Sequence, residues 1–433
     1  MNDRTPIRIG IAGLGTVGTA LCRDLLYDSK MLAARAGRPL RLGAVTARDK
    51  TIDRGVDLSG VEWAQSPMEL ARRDDVDIVI ELIGGEGDPA YSAIMAALEE
   101  GKPVITANKA LMARHGYTLA CHAEKKGVTI GYEAAVAAAI PAVKTLRESL
   151  AGRYVHSVHG ILNGTSNYIL TGMANHGCDF DTMLRDAQDK GYAEADPAAD
   201  VDGNDAAQKL ALLTASAFGV CPDIDSVQMR GIRDVNLQDI AYANSLGYTI
   251  KLIAVAKQEQ DGSVHQLVEP CLVQDSAPLA GVNDVINAVR YDADALGHIV
   301  MSGYGAGGGA TASAVLSDLV DVAAGNYRYV FGIPAEQLSS MNRHVRSRQY
   351  GRFYLRLTAL DKPGVLAAIA DKCRDHDLSI ESFLQRGRDP GQPVNLVILT
   401  HECSRGALYN VLDDIESLHD ITERSHTMRI IKT

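Results

Sequence analysis

A strand, a glycine-rich turn and a helix follow one another at the N-terminus and constrain the fold more than any other feature. Ile7 to Ala12 has the apolar pattern of a buried strand, and Thr16 to Leu26 has that of a helix. The six residues that begin at Gly13 form a GxGxxG turn between them, which predicts a Rossmann-type dinucleotide site. We therefore expect cofactor contacts at Gly13, Leu14, Gly15, Thr16, Val17 and Gly18.

Further strands alternate with helices in the next hundred residues, which is typical of a parallel α/β sheet. The predicted strands are Leu40–Thr46, Val76–Leu82, Pro103–Thr106 and Val128–Tyr132, with helices near 67–73, 89–100 and 109–126. Ligands of such sheets lie outside the carboxyl ends of the strands. We therefore place cofactor contacts at the ends of two strands, at Ile83, Gly84, Thr106, Asn108 and Lys109.

The type of dinucleotide depends on the end of the second strand, which reads Val-Thr-Ala-Arg-Asp-Lys. Arg48 and Lys50 could hold a 2′-phosphate, whereas Asp49 could hold a 2′-hydroxyl. The two cations favour NADP over NAD.

Composition excludes several other classes of function. The chain has 433 residues, 46% of them apolar and 22% charged, which predicts a soluble globular protein of about three domains. A net charge of −11 argues against a nucleic acid or an anionic membrane as the main partner. The seven cysteines are scattered and form neither a zinc pattern nor a disulfide framework, which favours the reducing cytoplasm.

An acidic segment at residues 187–210 carries six acids and two lysines in 24 positions. Asp205 and Lys209 are four residues apart at the start of a predicted helix, so they share one face. Glu194 and Asp200 lie in the broken segment before it. Carboxylates this crowded repel one another unless a cation or a substrate ammonium lies among them. The simpler alternative is a solvated acidic loop before an N-capped helix.

Several motifs together resemble those of homoserine dehydrogenase, in order and over essentially the whole chain. Besides the glycine turn, they are Thr106-Ala-Asn-Lys109, Asn163-Gly164-Thr165, Gly191-Tyr192-Ala-Glu194-Ala-Asp-Pro197, Asp200-Val-Asp-Gly-Asn-Asp205 and Lys209. The resemblance implies NAD(P)H-dependent reduction of L-aspartate 4-semialdehyde to L-homoserine, in the branch that leads to threonine, methionine and isoleucine.

The same resemblance assigns roles to residues of these motifs. Lys209 is the expected proton donor, with Lys109 as second cation and Asp205 beside them. We expect the neighbouring carboxylates to favour the charged form of Lys209. The substrate, an amino-acid zwitterion, would be bound by Glu194, Tyr192, Asp200, Thr165 and Gly164.

One loop departs from the pattern of the family, because Ala137, Ala138 and Ala139 stand where glycines are usual. In the family, carbonyl groups of this loop help to hold a monovalent cation such as Na⁺ or K⁺. The ligands implied are Glu133, Val136 and Ala138. Alanine keeps the carbonyl groups but disfavours a positive φ angle.

A glycine run and a C-terminal module complete the chain. Five glycines between residues 303 and 309, which include Gly305 and Gly307, suggest close approach of the backbone to the cofactor. After a basic segment, a β-α-β-β-α-β pattern predicts a ferredoxin-like fold that looks like an ACT domain. Asp361 and Gly364 lie at its first turn and form a candidate effector site. Because the pathway leads to threonine, L-threonine is the effector that the resemblance implies.

The sequence thus predicts an α/β protein with a Rossmann-type domain, an α+β catalytic and dimerisation domain and an ACT domain. The expected boundaries are 1–135, 136–309 and 351–433, with a helix at 310–328 that returns to the first domain and a linker at 329–350. We expect a homodimer or homotetramer. A semialdehyde-oxidising dehydrogenase would need a nucleophilic cysteine, and the motifs contain none. A catalytically silent amino-acid sensor with Rossmann and ACT folds is the remaining alternative.

Overall fold

The computed structural model describes residues 5–385 and 389–431. Within these residues, a parallel sheet is formed by six strands: β1 Ile7–Ala12, β2 Leu40–Thr46, β3 Glu62–Trp63, β4 Ile78–Glu81, β5 Val104–Thr106 and β6 Ile130–Gly131. Their order is β3-β2-β1-β4-β5-β6. The order reverses on either side of β1, so β1 and β4 flank the crevice in which doubly wound sheets bind ligands.

Five helices connect these strands: α1 Thr16–Tyr27, α2 Ser29–Ala36, α3 Pro67–Arg72, α4 Ala90–Glu99 and α5 Lys109–Lys125. The predicted elements are present, but three of the strands are shorter than predicted, and α2 and β3 were not predicted. Val76 lies in a turn because its N–H donates to the carbonyl of Arg73, and the N–H of Val128 donates back to Ala123 at the end of α5. The apolar residues of these segments therefore extend further along the chain than the backbone hydrogen bonds of the sheet.

A second, mixed sheet is formed by the rest of the described chain. Its strands are β7 Val155–Ile161, β8 Val227–Met229, β9 Tyr248–Gln258, β10 Val264–Gln274, β11 Ile286–Ala293, β12 Gly297–Tyr304, β13 Tyr350–Leu360, β14 Ile380–Gln385, β15 Pro393–Thr400, β16 Cys403–Ser404 and β17 His426–Ile431. The order along the sheet is β12-β11-β7-β9-β10-β17-β13-β15-β14, while β8 pairs with β10 and β16 with β13.

The helices of this half are α6 Ala142–Lys144, α7 Gly164–His176, α8 Phe180–Asp189, α9 Ala198–Val201, α10 Asn204–Phe218, α11 Leu237–Ser245, α12 Gly308–Ala324, α13 Val365–Asp375 and α14 Arg405–Glu416. Helices α7 and α10 pack on β7, β9 and their neighbours and carry the candidate site. Helix α12 returns to the nucleotide domain, where Val315 and Leu319 share a core with Leu21 of α1.

The C-terminal module has the β-α-β-β-α-β order predicted for it, with α13 and α14 packed over its strands. Its edge strand β17 pairs in parallel with β10, with Cys271 opposite Arg429. The module therefore extends the catalytic sheet. The preceding segment, predicted as a linker, is packed against the protein, since Val330 and Phe331 are each 1% exposed.

A buried carboxylate also joins the module to the middle domain. Asp239 of α11 is fully buried and accepts hydrogen bonds from Tyr354 Oη at 2.9 Å and Arg356 Nε at 2.7 Å. His426 Nδ1 lies 3.1 Å from its other oxygen. Burial raises the pKa of this carboxyl, but His426 and Arg356 outweigh burial and bring the pKa to about 2.

We expect Asp239→Asn to lower the free energy of unfolding by about 3–5 kcal/mol, because Arg356 is left buried without a counter-charge. Urea unfolding near pH 7 measures this loss. The native pKa lies below that of the unfolded chain, so the ion pair stabilises the protein above about pH 4. The difference between variant and wild type should shrink as the pH falls from about 4 to 2. Exposed Asp234→Asn is the matched control, and equal stability of the two variants would contradict the prediction.

Candidate active site

A buried acid organises the carboxyl ends of the two central strands of the parallel sheet. Glu81, at the end of β4, is fully buried. Its Oε1 accepts the N–H groups of Ile83 and Gly84 at 2.7 and 3.1 Å, and Oε2 accepts Thr106 Oγ1 at 2.5 Å. Glu81 belongs to none of the sequence motifs, yet it fixes the loop after β4 against the end of β5.

The same network continues to the first turn of α5. Thr106 Oγ1 accepts the N–H of Asn108, and the Asn108 side chain donates to the carbonyl of Gly85 and accepts from the N–H of Leu111. The Thr106 and Asn108 side chains therefore make hydrogen bonds to other groups of the protein and do not line either cavity. Their geometry places Lys109 at the start of α5, where it lines the cleft.

The glycine turn separates two neighbouring cavities. A cavity of about 620 Å³ contains Gly13, Leu14 and Gly15 in its wall, and a cavity of about 660 Å³ contains Val17. Gly13 has a φ of +104°, and a Cβ there would lie 2.5 Å from the carbonyl oxygen of Leu82. A Cβ at Gly15 would meet nothing within 4 Å, so this position is open to a ligand. At Gly18 it would lie 2.0 Å from the carbonyl oxygen of Gly13, so this glycine permits close packing of helix and strand.

The first cavity is the one suited to the far end of a dinucleotide. Arg48, Asp49 and Ile83 line it, whereas Lys50 does not. Arg54, which the sequence analysis missed, also lines it and donates to the carbonyls of Leu14, Ile52 and Asp49. These bonds attach the loop after β2 to the glycine turn. Arg54 is not a motif residue, and only the return of its loop places it here.

The second cavity contains an ion cluster centred on Asp205, which is 8% exposed. Asp205 Oδ2 accepts Lys209 Nζ at 2.7 Å and Asn163 Nδ2 at 2.9 Å, and Oδ1 lies 3.2 Å from Lys109 Nζ. Lys209 Nζ also donates to the carbonyl of Leu162 at 2.8 Å. The two predicted catalytic lysines therefore meet at one carboxylate, although 100 residues separate them.

Burial and the neighbouring charges together determine the titration of this cluster. Burial raises the pKa of Asp205, but Lys209 and Lys109 outweigh it and bring the pKa to about 2. The neighbouring carboxylates favour the charged form of Lys209, as expected, but the pKa of Lys209 is nevertheless lowered. Burial lowers its pKa and Lys109 lowers it further, which outweighs the opposing effect of Asp205. A lysine whose pKa lies below its ordinary value gives up its proton more readily.

The remaining acids of the 187–210 segment have different environments. Asp200 Oδ1 accepts the other hydrogen of Asn163 Nδ2 at 2.7 Å, and burial raises the pKa of Asp200. Asp202 points elsewhere and pairs with Arg233. Glu194 is exposed, lines the cavity and has no side-chain partner among residues 5–385 and 389–431. Its carboxylate is therefore available to a ligand. A solvated acidic loop would not need to place this carboxylate in the wall of a cavity.

Substrate-contact candidates surround the cluster. Gly164 is the first residue of α7, and Asn163 caps this helix by accepting the N–H of Ser166. Thr165 Oγ1 donates to the carbonyl of Tyr192 at 2.7 Å, which joins α7 to the acidic segment. The predicted contacts Glu194, Tyr192, Asp200, Thr165 and Gly164 all line the same cavity.

The glycine run is explained partly by packing within the protein. Gly305 and Gly307 line the cavity. A Cβ at Gly305 would lie 1.9 Å from Asn287 Nδ2, and one at Gly308 would lie 2.9 Å from Thr16 Cγ2. Gly305 and Gly308 are therefore required by close packing against Asn287 and α1, and no ligand is needed to explain them. The sequence analysis did not find Asn287 because no motif contains it.

The alanine loop adopts the conformation that its sequence disfavours. Ala138 has a φ of +45°, in the left-handed region. Glu133 is buried, and its two oxygens accept the N–H groups of Val143 and Lys144 at 2.9 and 2.7 Å. Burial and the neighbouring Asp318 raise the pKa of Glu133 to about 7. The Glu133 carboxylate thus binds backbone N–H groups at the start of α6.

The arrangement combines three chemical capacities in one place. The glycine turn presents an open position to a nucleotide, Lys209 and Lys109 present ammonium groups to an oxygen, and exposed carboxylate and carbonyl groups surround them. No group of three or more His, Cys, Asp or Glu side chains suited to a metal ion occurs in the part of the chain that the structure describes. No helix among the described residues is both long enough and apolar enough to cross a bilayer.

Comparison with known proteins gives matches over nearly the whole chain. Family models for the homoserine dehydrogenase NAD-binding domain, homoserine dehydrogenase and the ACT domain match residues 13–133, 141–320 and 353–420. Homoserine dehydrogenase of Mycobacterium bovis is 40% identical over 99% of this chain and 98% of its own length. A crystal structure of homoserine dehydrogenase from Thiobacillus denitrificans superposes with a TM-score of 0.94 and 35% identity, and covers 99% of both chains.

A hyperthermophilic archaeal homoserine dehydrogenase in complex with NADPH is also similar, with a TM-score of 0.64 and 27% identity over 75% of this chain and all of that one. The comparisons give no support to the catalytically silent sensor. Identity of this extent over the full length, together with the matched models, shows that the chain belongs to the homoserine dehydrogenase family.

Proposed function

We propose that the chain reduces L-aspartate 4-semialdehyde to L-homoserine, with Lys209 as the proton donor to the carbonyl oxygen. The observation that carries this proposal is the ion cluster, in which Lys209 and Lys109 share Asp205 in the wall of the cavity beside the glycine turn. A bound NAD(P)H supplies the hydride. Hydride addition to the carbonyl carbon and proton transfer from Lys209 Nζ to the oxygen together give the alcohol.

The surroundings of Lys209 suit a general acid. Asp205 and the carbonyl of Leu162 hold its ammonium group in position. Because the pKa of Lys209 is lowered, the proton is released more easily than from a solvated lysine. Lys109 is the more exposed of the two lysines and is proposed to orient the substrate and to link the cluster to solvent.

The zwitterionic end of the substrate is assigned to the acidic side of the cavity. Glu194 offers an unpaired carboxylate to the substrate ammonium, and the carbonyl groups near Thr165 and Tyr192 offer further acceptors. Asp200 is bonded to Asn163 and is proposed to support this side of the cavity. The N-terminus of α7 at Gly164 favours the substrate carboxylate.

NADP is the preferred cofactor in this proposal. Arg48 lines the nucleotide cavity together with Asp49, and its cation suits a 2′-phosphate. The NADPH bound by the archaeal relative supports the same choice. Lys50 lies outside the cavity wall, so we assign the preference to Arg48 alone.

A monovalent cation near Glu133, Val136 and Ala138 is also proposed. The positive φ of Ala138 supports it, because the loop keeps a backbone conformation that glycine would allow more easily. The carboxylate of Glu133 already accepts two hydrogen bonds from backbone N–H groups, which counts against a strong role for it as a cation ligand. Replacement of KCl by choline chloride at constant ionic strength tests the requirement for a cation.

The assembly, the effector and the compartment are proposals of the same kind. A homodimer or homotetramer fits the outer strands β12 and β14, each of which has one edge that pairs with no other strand of the described residues. L-Threonine is the proposed effector, at the turn of Asp361 and Gly364 before α13. All seven cysteines lie among the described residues and are free, which fits the cytoplasm.

Lys209→Ala should reduce kcat for semialdehyde reduction by about 10²–10⁴-fold, because the general acid is lost. The KM for NADPH should stay within about twofold, since Lys209 does not line the nucleotide cavity. In the wild type, the rate of reduction should fall as the pH rises through a value below 10.5, the ordinary pKa of lysine, because burial lowers that of Lys209.

The matched control is Lys190→Ala, which removes an exposed lysine of the same segment that pairs with Asp186. It should keep its activity. A Lys209→Ala enzyme with more than half of the wild-type turnover would remove Lys209 from the mechanism. A severe loss in Lys109→Ala alone would exchange the roles of the two lysines.

Arg48→Ala should raise the KM for NADPH by roughly tenfold and change that for NADH little, because only NADPH carries the 2′-phosphate. Steady-state kinetics with both cofactors measure the difference. Lys50→Ala is the matched control, since it removes a cation two residues away but outside the cavity wall. Equal losses with NADPH and NADH would contradict the NADP preference.

L-Threonine should inhibit the wild-type enzyme, and Asp361→Asn should raise the half-inhibitory concentration by roughly tenfold through loss of the partner for the effector ammonium. A point variant is preferable to truncation, because the module shares the catalytic sheet. Asp371→Asn, on the exposed side of α13, is the control. If Asp361→Asn leaves the inhibition unchanged, the effector binds elsewhere. If the wild type is insensitive to L-threonine, the module serves only in assembly.

A further inference from the structure

A separate, strongly basic pocket lies at the junction of the catalytic sheet and the C-terminal module. Arg230 follows β8, Arg405 begins α14 and Arg429 belongs to β17, and all three line the pocket. Arg346, at the rim, stacks on Tyr409 and donates to its hydroxyl at 3.0 Å. The pocket shares no lining residue with the two cavities beside the glycine turn.

A single carboxylate faces these arginines. Glu269 of β10 has a side chain only 9% exposed and accepts Arg405 Nη2 at 2.5 Å and Arg429 Nε at 3.3 Å from the same oxygen. Arg230 donates to the carbonyl of Thr427. Burial raises the pKa of Glu269, but Arg405, Arg429 and Arg230 together outweigh burial and lower it. Three inner guanidinium groups thus share one negative charge, so the pocket keeps an excess of about two positive charges.

The hydrogen-bonding capacity of the arginines is also incomplete. Arg405 and Arg429 have side chains 5% and 10% exposed, so both are at least nine-tenths buried. Arg405 Nε, Arg429 Nη2 and Arg230 Nε have no hydrogen-bond partner among the described residues. Buried charges without partners are costly, and buried donors normally have acceptors. The pocket therefore has more buried cationic donors than acceptors, which favours a ligand that carries negative charge.

We propose that this pocket binds a small oxyanion, a phosphate or a carboxylate group, between the catalytic sheet and the C-terminal module. Its volume of about 50 Å³ exceeds the roughly 10–15 Å³ that one water needs, and leaves room for a single such group. Planar guanidinium groups match the oxygen geometry of both anions. The start of α14 at Arg405 adds positive potential from the helix dipole.

The bound anion would join the two parts of the chain. Glu269 and Arg230 belong to the catalytic side, whereas Arg405 and Arg429 belong to the module. These residues lie beside the pairing of β10 with β17. An anion that bridges them stabilises the junction, and this site is distinct from the turn of Asp361 and Gly364. The inference is independent of the reaction mechanism.

Thermal unfolding of the full-length protein tests the proposal, with NADPH saturating so that the nucleotide cavity is occupied. Potassium phosphate, potassium acetate and L-threonine are each titrated against KCl at equal ionic strength. At least one of them should raise the unfolding temperature saturably beyond KCl. The anion that does so identifies which of the two oxyanion groups the pocket accepts.

Two variants should move the affinity for that anion in opposite directions. Glu269→Gln removes the competing carboxylate and should tighten binding by roughly tenfold, whereas Arg346→Gln at the exposed rim should weaken it by roughly threefold to tenfold. Arg374→Gln, on the surface of α13, is the control for loss of one positive charge and should change nothing.

The absence of any saturable effect beyond KCl would overturn the proposal. An effect that Arg346→Gln leaves equal to that of Arg374→Gln would also overturn it, since the anion would then bind elsewhere. If Glu269→Gln does not fold, the wild type and Arg346→Gln decide the question alone.

Discussion

The candidate active site depends on the buried carboxylate of Asp205. It binds Lys209 from its own helix, Lys109 from the start of α5 and Asn163 from the cap of α7, so three distant segments meet at one group. The two ammonium groups repel each other, and the carboxylate between them compensates for that repulsion. The same carboxylate keeps the Lys209 ammonium in position while burial lowers the lysine pKa. Asp205 therefore fixes the position of the proposed proton donor, whereas burial and Lys109 make it more acidic.

Two further buried carboxylates hold the larger parts of the chain together in the same manner. Glu81 joins the ends of β4 and β5, and so sets where Lys109 begins its helix. Asp239 joins α11 to β13 of the C-terminal module. Each of them is surrounded by donors of the protein itself. Glu269, with more cationic neighbours than it can satisfy, is different, and this difference motivates the proposed anion site.

Much of the candidate site could be predicted from the sequence, because its residues belong to motifs whose chemistry is local. The glycine turn, the Asp205 and Lys209 pair and the Asn163-Gly164-Thr165 turn each have a short-range reason for their spacing. Residues outside such motifs, such as Arg54 at the nucleotide cavity and Asn287 beside Gly305, could not be found in this way, because only the return of a distant loop or strand places them there. The lowered pKa of Lys209 also escaped prediction, since adjacent residues show charge but not burial.

The sequence by itself determined the order of the elements, the parallel α/β alternation of the first domain and the β-α-β-β-α-β module, because these follow from local hydrophobic period and turn chemistry. Only the tertiary structure decided that β17 would pair with β10 and make one sheet of two predicted domains. It also decided that the segment at 329–350 would pack on the protein. The reason is physical: strand partners and burial depend on which surfaces distant segments leave uncovered, and no local pattern encodes that choice.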